Sequence, residues 1–199
     1  APSRIRSIMR KNEQLYWIWL AEKLGPASKK LPGLIERFGD AFEIYRADGE
    51  QLVGTDKRGD ETLARLEDKR LDRASAIFEE CERLGIDVIC YGGELYPKRL
   101  AKLQDPPAVL YCRGIMPNLD DLLCIGVVGT RAMSEYGCVS AYKISYGLAR
   151  AGVVTVSGMA KGVDAVAACA TFAAGGHHIA VLGCGVDVVY PKENTLVYR

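Results

Sequence analysis

Three short segments hold the residues best suited to chemistry. Each follows an apolar run and contains glycine. Gly129-Thr130-Arg131 follows LLCIGVVG (122–129), Ser157 and Gly158 close VVTVSG (153–158) just before Lys161-Gly162, and Gly183 and Gly185 follow HIAVLG (178–183). Glycine lets a backbone approach a ligand closely and adopt positive φ. A helix that starts just after such a turn points its unsatisfied N–H groups, the positive end of its dipole, into the same place. Arg131 and Lys161 add cations; Thr130 and Ser157 add hydroxyl donors. The chemistry these residues suggest is the binding of a phosphate or carboxylate. Tyr136, Gly183, Gly185 and Asn194 are further candidates in the same loops, and an aromatic such as Tyr136 or Tyr190 can stack a base. The plainer reading is that each glycine only turns the chain, that Ser157 only caps a helix and that Lys161 is a solvated charge. Three such loops together, with two cations in a charge-poor segment, favour a site. Asp164 reads as a helix cap or a loop tie rather than a catalytic group.

Several chemistries are excluded. The chain has no G-x-x-x-x-G-K-[ST], so a P-loop is absent. The first turn is GVVGTR rather than G-x-G-x-x-G, and no acidic residue follows the second strand to hold a ribose, which argues against a nicotinamide dehydrogenase. There is no G-x-S-x-G nucleophile elbow and no evident carboxylate pair. His177 and His178, the only histidines, read as the end of a loop rather than metal ligands. The seven cysteines lack a C-x-x-C pair and read as reduced thiols of a cytoplasmic protein. What remains is an anion site with no catalytic residue, cofactor or metal.

The elements that must position this site are legible from the patterning. Residues 1–105 carry 19 basic and 19 acidic side chains, whereas residues 106–199 carry 7 and 6 together with 12 of the 21 glycines. The charged half reads as helical: Glu13–Leu24 is apolar on most sides, Lys29–Phe38 and Asp40–Ala47 flank Gly39, Asp48-Gly49 is a turn, and Asp60 caps one long amphipathic helix over Glu61–Leu84 that ends at Gly85. IDVICY (86–91) and AVLYCRG (108–114) are strand candidates. The second half then repeats strand, glycine turn and helix three times, with helices from about Cys138 to Ala151, Asp164 to Ala174 and a start near Glu193. Nearly continuous apolar strands alternating with helices predict an α/β, Rossmann-like, doubly wound and mainly parallel sheet covered on both faces, preceded by a small all-helical domain. The boundaries expected are 1–72 for the helical domain and 73–199 for the Rossmann-like domain.

A formal net charge of +1 excludes a grossly basic coat but not a local basic pocket. No apolar run reaches the roughly 18–20 residues of a membrane span. The first residues lack the pattern of a signal peptide.

GVVGTRAMSEYG (126–137), VVTVSGMAKGVDAVA (153–167) and IAVLGCGVDVVYPKEN (179–194) resemble, in order and spacing, the three signature blocks of the DNA-processing protein A family (DprA/Smf). YPKRLAKLQDPPAVLYCRG (96–114) is similar to its lead-in, so the resemblance covers about residues 84–194. The N-terminal helices loosely resemble that family's sterile-alpha-motif-like or helix-hairpin-helix-like domain. The resemblance implies a cytoplasmic, homodimeric, non-enzymatic protein that binds single-stranded DNA, protects it and loads the recombinase RecA on it during natural transformation. It implies DNA contacts at Gly129, Thr130 and Arg131 and at Ser157, Gly158, Lys161 and Gly162. Two features depart from the family. Ala168 stands where its D-x-x-A-H pattern has His, and the chain stops at Arg199, before a further F-P-x-R-N-R segment, as expected of a truncated member lacking part of the DNA surface and the dimer face. The alternative is a nucleotide-binding enzyme or sensor using the same crevice, although the P-G-G-x-G-T-x-x-E motif of the related phosphoribohydrolases is absent. A third reading makes the helical part an interaction module through Tyr16–Leu20.

Overall fold

The computed structural model of the chain describes residues 11–52 and 62–195, which fall into two units, 1–117 and 118–199. In the first, α1 (Lys11–Leu24) is buried along Trp17, Ile18, Trp19 and Leu20, four consecutive residues that together point to most sides of the helix. Around it lie α2 (Lys30–Phe38), α3 (Ala41–Arg46), α4 (Gly49–Leu52), α5 (Thr62–Glu67) and α6 (Asp72–Leu84). Leu31, Leu34, Ile44, Leu52, Leu66 and Phe78 complete the core with α1. Strands β1 (Asp87–Cys90) and β2 (Val109–Cys112) pair antiparallel, Asp87 opposite Cys112 and Cys90 opposite Val109, with the short α7 (Lys98–Ala101) between them. Their Val88, Cys90 and Val109 join the helical core, and Gln14 Nε2 donates to Val88 O at 3.0 Å. Residues 73–117, expected to begin the second domain, therefore pack with the helices.

Two local expectations change here. The single helix expected over Glu61–Leu84 is two, interrupted at residues 68–71; its predicted cap Asp60 and first residue Glu61 lie outside the described residues. Tertiary contacts override the helical periodicity at the break. Trp19 Nε1 donates to Asp68 O at 2.9 Å, Tyr45 Oη donates to Lys69 O at 3.1 Å, and the Asp68 carboxylate accepts from Arg70 and pairs with Lys23. The hydrogen bonds from Arg70 and Lys23 hold the Asp68 carboxyl well below the usual carboxylate range. The Asp48-Gly49 turn is instead a helix start. Asp48 Oδ1 accepts from Gln51 N at 2.9 Å while Gln51 Oε1 accepts from Asp48 N at 3.1 Å, a reciprocal capping box. Gly85 does end α6, in the left-handed region at φ 66°.

The second unit holds the parallel sheet β3 (Cys124–Gly126), β4 (Val154–Ser157) and β5 (His178–Ala180), in the order β3-β4-β5. Cys124 lies opposite Val154, and Thr155 lies opposite His178. The helices α8 (Glu135–Arg150) and α9 (Val163–Ala173) connect these strands and pack on each other. Right-handed crossovers between consecutive neighbours, the rule for parallel strands, put successive helices on one face, in keeping with the α8–α9 contact. The reversal of a doubly wound sheet and the cover of its second face are not found among the described strands. The two strand candidates that precede the sheet, β1 and β2, pair with each other and with no other strand among the described residues.

The strands are shorter than the apolar runs that announced them, because residues 127–129, 158 and 181–183 have already left the sheet to form its loops. Helix α8 begins three residues before its expected start, where Ser134 Oγ accepts from Gly137 N at 3.2 Å. The helix expected near Glu193 is one 3-10 turn, Lys192–Asn194. Among the described residues, no helix is long and apolar enough to cross a membrane and no His, Cys, Asp and Glu cluster could hold a metal ion.

Candidate nucleic-acid interface

Parallel neighbours bring the loops after β3, β4 and β5 to the same sheet edge, with the loop after β4 in the middle. Backbone contacts lock the first two loops together. Val163 N, at the start of α9, donates to Thr130 O at 3.2 Å. Gly162 has φ 86°, and a Cβ there would lie 2.2 Å from Thr130 O and 2.8 Å from Arg131 Cα. Only glycine satisfies both that dihedral and that approach. Gly129 is also required, since a Cβ on it would lie 2.6 Å from Val163 Cγ2. Gly162 thus brings backbone against backbone, and Gly129 leaves room for the Val163 side chain.

The third loop is tied to the second by Asn194. This residue is buried, and its Nδ2 donates to Met159 O at 2.8 Å and Ala160 O at 3.2 Å. Met159 itself sits at φ 56°, the one positive φ among the described non-glycine residues. Asp164 ties the second loop from beneath: its carboxylate accepts from Gly158 N at 2.9 Å and from Ala160 N at 3.4 Å. The loop-tie role read for Asp164 is the one it has. These two amides face inward and are not available to a ligand. The amides of Gly129, Thr130 and Arg131, in contrast, have no acceptor among the described residues.

The predicted site residues separate into two groups. Gly129, Thr130, Arg131, Gly158 and Lys161 are exposed at the edge, with Gly162 half-buried between the two loops. Arg131 forms no ion pair among the described residues. Lys161 Nζ pairs with the Glu193 carboxylate of the third loop, and both side chains remain more than half exposed. The hydrogen bond from Lys161 lowers the Glu193 pKa. Such a pair in water is weak and readily exchanged. Thr130 Oγ1 accepts from Ala132 N at 3.1 Å and donates to Ala132 O at 3.2 Å, both bonds lying within the turn. Lys192, beside Glu193 and exposed, is a further cation that the sequence reading passed over.

Ser157 and Asn194 belong to the second group. Ser157 is buried at 3% exposure, and its hydroxyl lies 3.1 Å from His178 Nε2 and 3.4 Å from Asp164 O. It cannot meet a ligand and instead joins β4 to β5. Asn194 is a brace for the same reason. Gly183 and Gly185 are exposed in the third loop, and Tyr136, on the first turn of α8, is 83% exposed.

Sequence reasoning missed the polar seam behind this edge. His178 lies within β5, with Nδ1 2.7 Å from Thr155 Oγ1, and Thr155 Oγ1 lies 2.7 Å from Thr171 Oγ1 on α9. Thr171 Oγ1 donates to Ala167 O, so Thr155 Oγ1 donates to Thr171 and Nδ1 carries the proton that Thr155 accepts, while the Ser157 hydroxyl donates to Asp164 O and lies 3.1 Å from Nε2. Burial lowers the His178 pKa and keeps the ring neutral, opposed by the nearby Asp164 charge. The signal was present in VVTVSG: Thr155 and Ser157 alternate at period two, as one polar strip beneath a helix requires.

Residues 87–199 match the family described as DNA recombination-mediator protein A. The chain is 29% identical to Protein Smf of Synechocystis over 199 residues, covering 96% of this chain and 49% of that protein. It is 37% identical to DNA processing protein DprA of Bacillus subtilis over 125 residues (63% and 41%) and 44% identical to that of Streptococcus pneumoniae over 103 residues (51% and 35%). It thus spans about half or less of the length of these relatives. The X-ray structure of DprA from Streptococcus pneumoniae superposes with a TM-score of 0.73 at 28% identity, covering 92% of this chain and 62% of that one.

Proposed function

The chain belongs to the DNA recombination-mediator protein A family, and from that premise we propose that its 129–131 and 158–162 loops grip the sugar-phosphate backbone of single-stranded DNA. One observation carries the reading: two interlocked glycine loops hold an exposed Arg131, without an ion-pair partner among the described residues, next to an exposed Lys161 that pairs there with a solvated carboxylate. The guanidinium makes a bidentate phosphate contact, Lys161 exchanges Glu193 for a phosphate, and the free amides of the 129–131 turn donate to further oxygens. Phosphate contacts of this kind position a strand without reading its sequence, so binding is sequence-blind and falls steeply with salt.

The role that follows is mediation rather than catalysis. The cytoplasmic, homodimeric protein processes incoming DNA, covers the strand and passes it to RecA during transformation. In this reading the parallel sheet of the second unit is part of a Rossmann-like, doubly wound domain. The test is fluorescence anisotropy with a labelled oligothymidylate, for which R131E/K161E loses binding. Unchanged binding by that variant rejects the assignment. A large thermal shift from free mononucleotides, with none from oligonucleotides, supports a nucleotide enzyme or sensor instead.

A further inference from the structure

We propose that the outward face of α8 is a second contact surface for the same strand, on which bases stack while flanking cations hold phosphates. The proposal rests on the reading above and extends it to residues outside the loops. Helix α8 starts four residues after Arg131 and runs for 16 residues, about 24 Å at 1.5 Å per residue. At 3.6 residues per turn, Tyr136, Val139, Tyr142, Lys143, Tyr146 and Arg150 fall within one stripe about 120° wide. Ala141, Ser145 and Ala149 occupy the buried side.

This stripe is neither core nor an ordinary solvated face. Tyr136, Tyr142 and Tyr146 are exposed at 83%, 41% and 38%. The rings of Tyr142 and Tyr146 lie nearly parallel, 16° apart with centroids separated by 6.1 Å, as a stacked aromatic pair on the exposed side of the helix. None of the three hydroxyls has a hydrogen-bond partner among the described residues. Lys143 and Arg150 are exposed and form no ion pair among the described residues. Glu135 is the one carboxylate on the helix. Interleaved rings and unpaired cations suit a chain with alternating flat bases and phosphates, and the stripe begins where the Arg131 turn ends. A strand held at that turn needs only a few nucleotides to reach the ring pair: eight residues of helix from Ser134 to Tyr142 span about 12 Å, against an axial rise of about 3.4 Å per nucleotide of a stacked strand.

The experiment titrates fluorescein-labelled dT20 with the full chain and its Y142A/Y146A and Y142F/Y146F variants, with far-UV circular dichroism as the fold control. Base–aromatic stacking of ordinary strength predicts that Y142A/Y146A weakens binding at least about tenfold, whereas Y142F/Y146F binds like the parent because the ring and not the hydroxyl carries the contact. K143Q/R150Q is expected to flatten the slope of log affinity against log salt by about 1.4, or 0.7 for each lost contact. Parental affinity in Y142A/Y146A, or a loss that phenylalanine does not restore, overturns the stacking surface. When R131E/K161E loses binding and Y142A/Y146A does not, only the α8 surface fails. When R131E/K161E binds like the parent, or the parent does not bind dT20, the underlying reading fails and the proposal with it.

Discussion

Gly162→Ala is the sharpest test of how the site is built. The residue sits at φ 86° and ψ −131°, where an L side chain costs about 1–3 kcal/mol. Its new Cβ would lie 2.2 Å from Thr130 O, a backbone atom that no rotamer change can clear. Relief requires the 129–131 turn to move back by about an ångström, which breaks the Val163 N to Thr130 O bond of 3.2 Å and removes about a further 1 kcal/mol. The sum, about 2–4 kcal/mol, is a large fraction of the stability of a domain this size. The assay is urea unfolding followed by far-UV circular dichroism. Trp17 and Trp19, the only tryptophans, both lie in the first unit, so their fluorescence follows the unfolding of that unit beside the whole-chain signal. Gly183→Ala, whose Cβ meets nothing within 4 Å, is the matched control and changes stability by less than about 0.5 kcal/mol. A Gly162→Ala protein with parental stability and parental DNA affinity refutes the claim that the two loops are held backbone to backbone.

Two further outcomes follow from the same geometry. Glu193→Gln removes the carboxylate that competes for Lys161, so oligonucleotide affinity rises about two- to threefold in an anisotropy titration; a fall in affinity would assign Glu193 to the ligand instead. His178 is kept neutral by burial, so its folded pKa lies below the unfolded value of about 6.5. The unfolded state therefore takes up a proton first, and stability is lost as pH falls from about 6.5 through the lower folded pKa. Thermal unfolding at pH 7.5 and 5.5 should show a larger drop for the parent than for His178→Gln, and equal drops would contradict the neutral-ring assignment.

What could be read from the sequence was what local chemistry dictates. α1 is apolar on most sides because it runs through the core of its unit, and Gly85 ends α6 because glycine readily adopts the left-handed conformation found there. The loops after the parallel strands were legible because glycine, hydroxyl and cation types cluster there. What escaped depends on partners distant in sequence. The break in the helix expected over Glu61–Leu84 exists because Trp19, Lys23 and Tyr45 reach residues 68–69, and no pattern within 61–84 records that. Ser157 and Asn194 had the right residue types for a phosphate site, but their burial turns them into braces. Helical burial and strand burial also look alike in short apolar runs, which is why β1 and β2 were readable as strands but not as an antiparallel pair within the helical core.

The most direct measurement is the salt dependence of single-stranded DNA affinity for the parent chain and for Arg131→Gln/Lys161→Gln. If both cations meet phosphates, each loss lowers the magnitude of the log–log slope by about 0.7, so the double variant is flatter by about 1.4 and weaker at every salt concentration. Parallel lines with equal affinity would mean that the strand, if held at all, is held elsewhere.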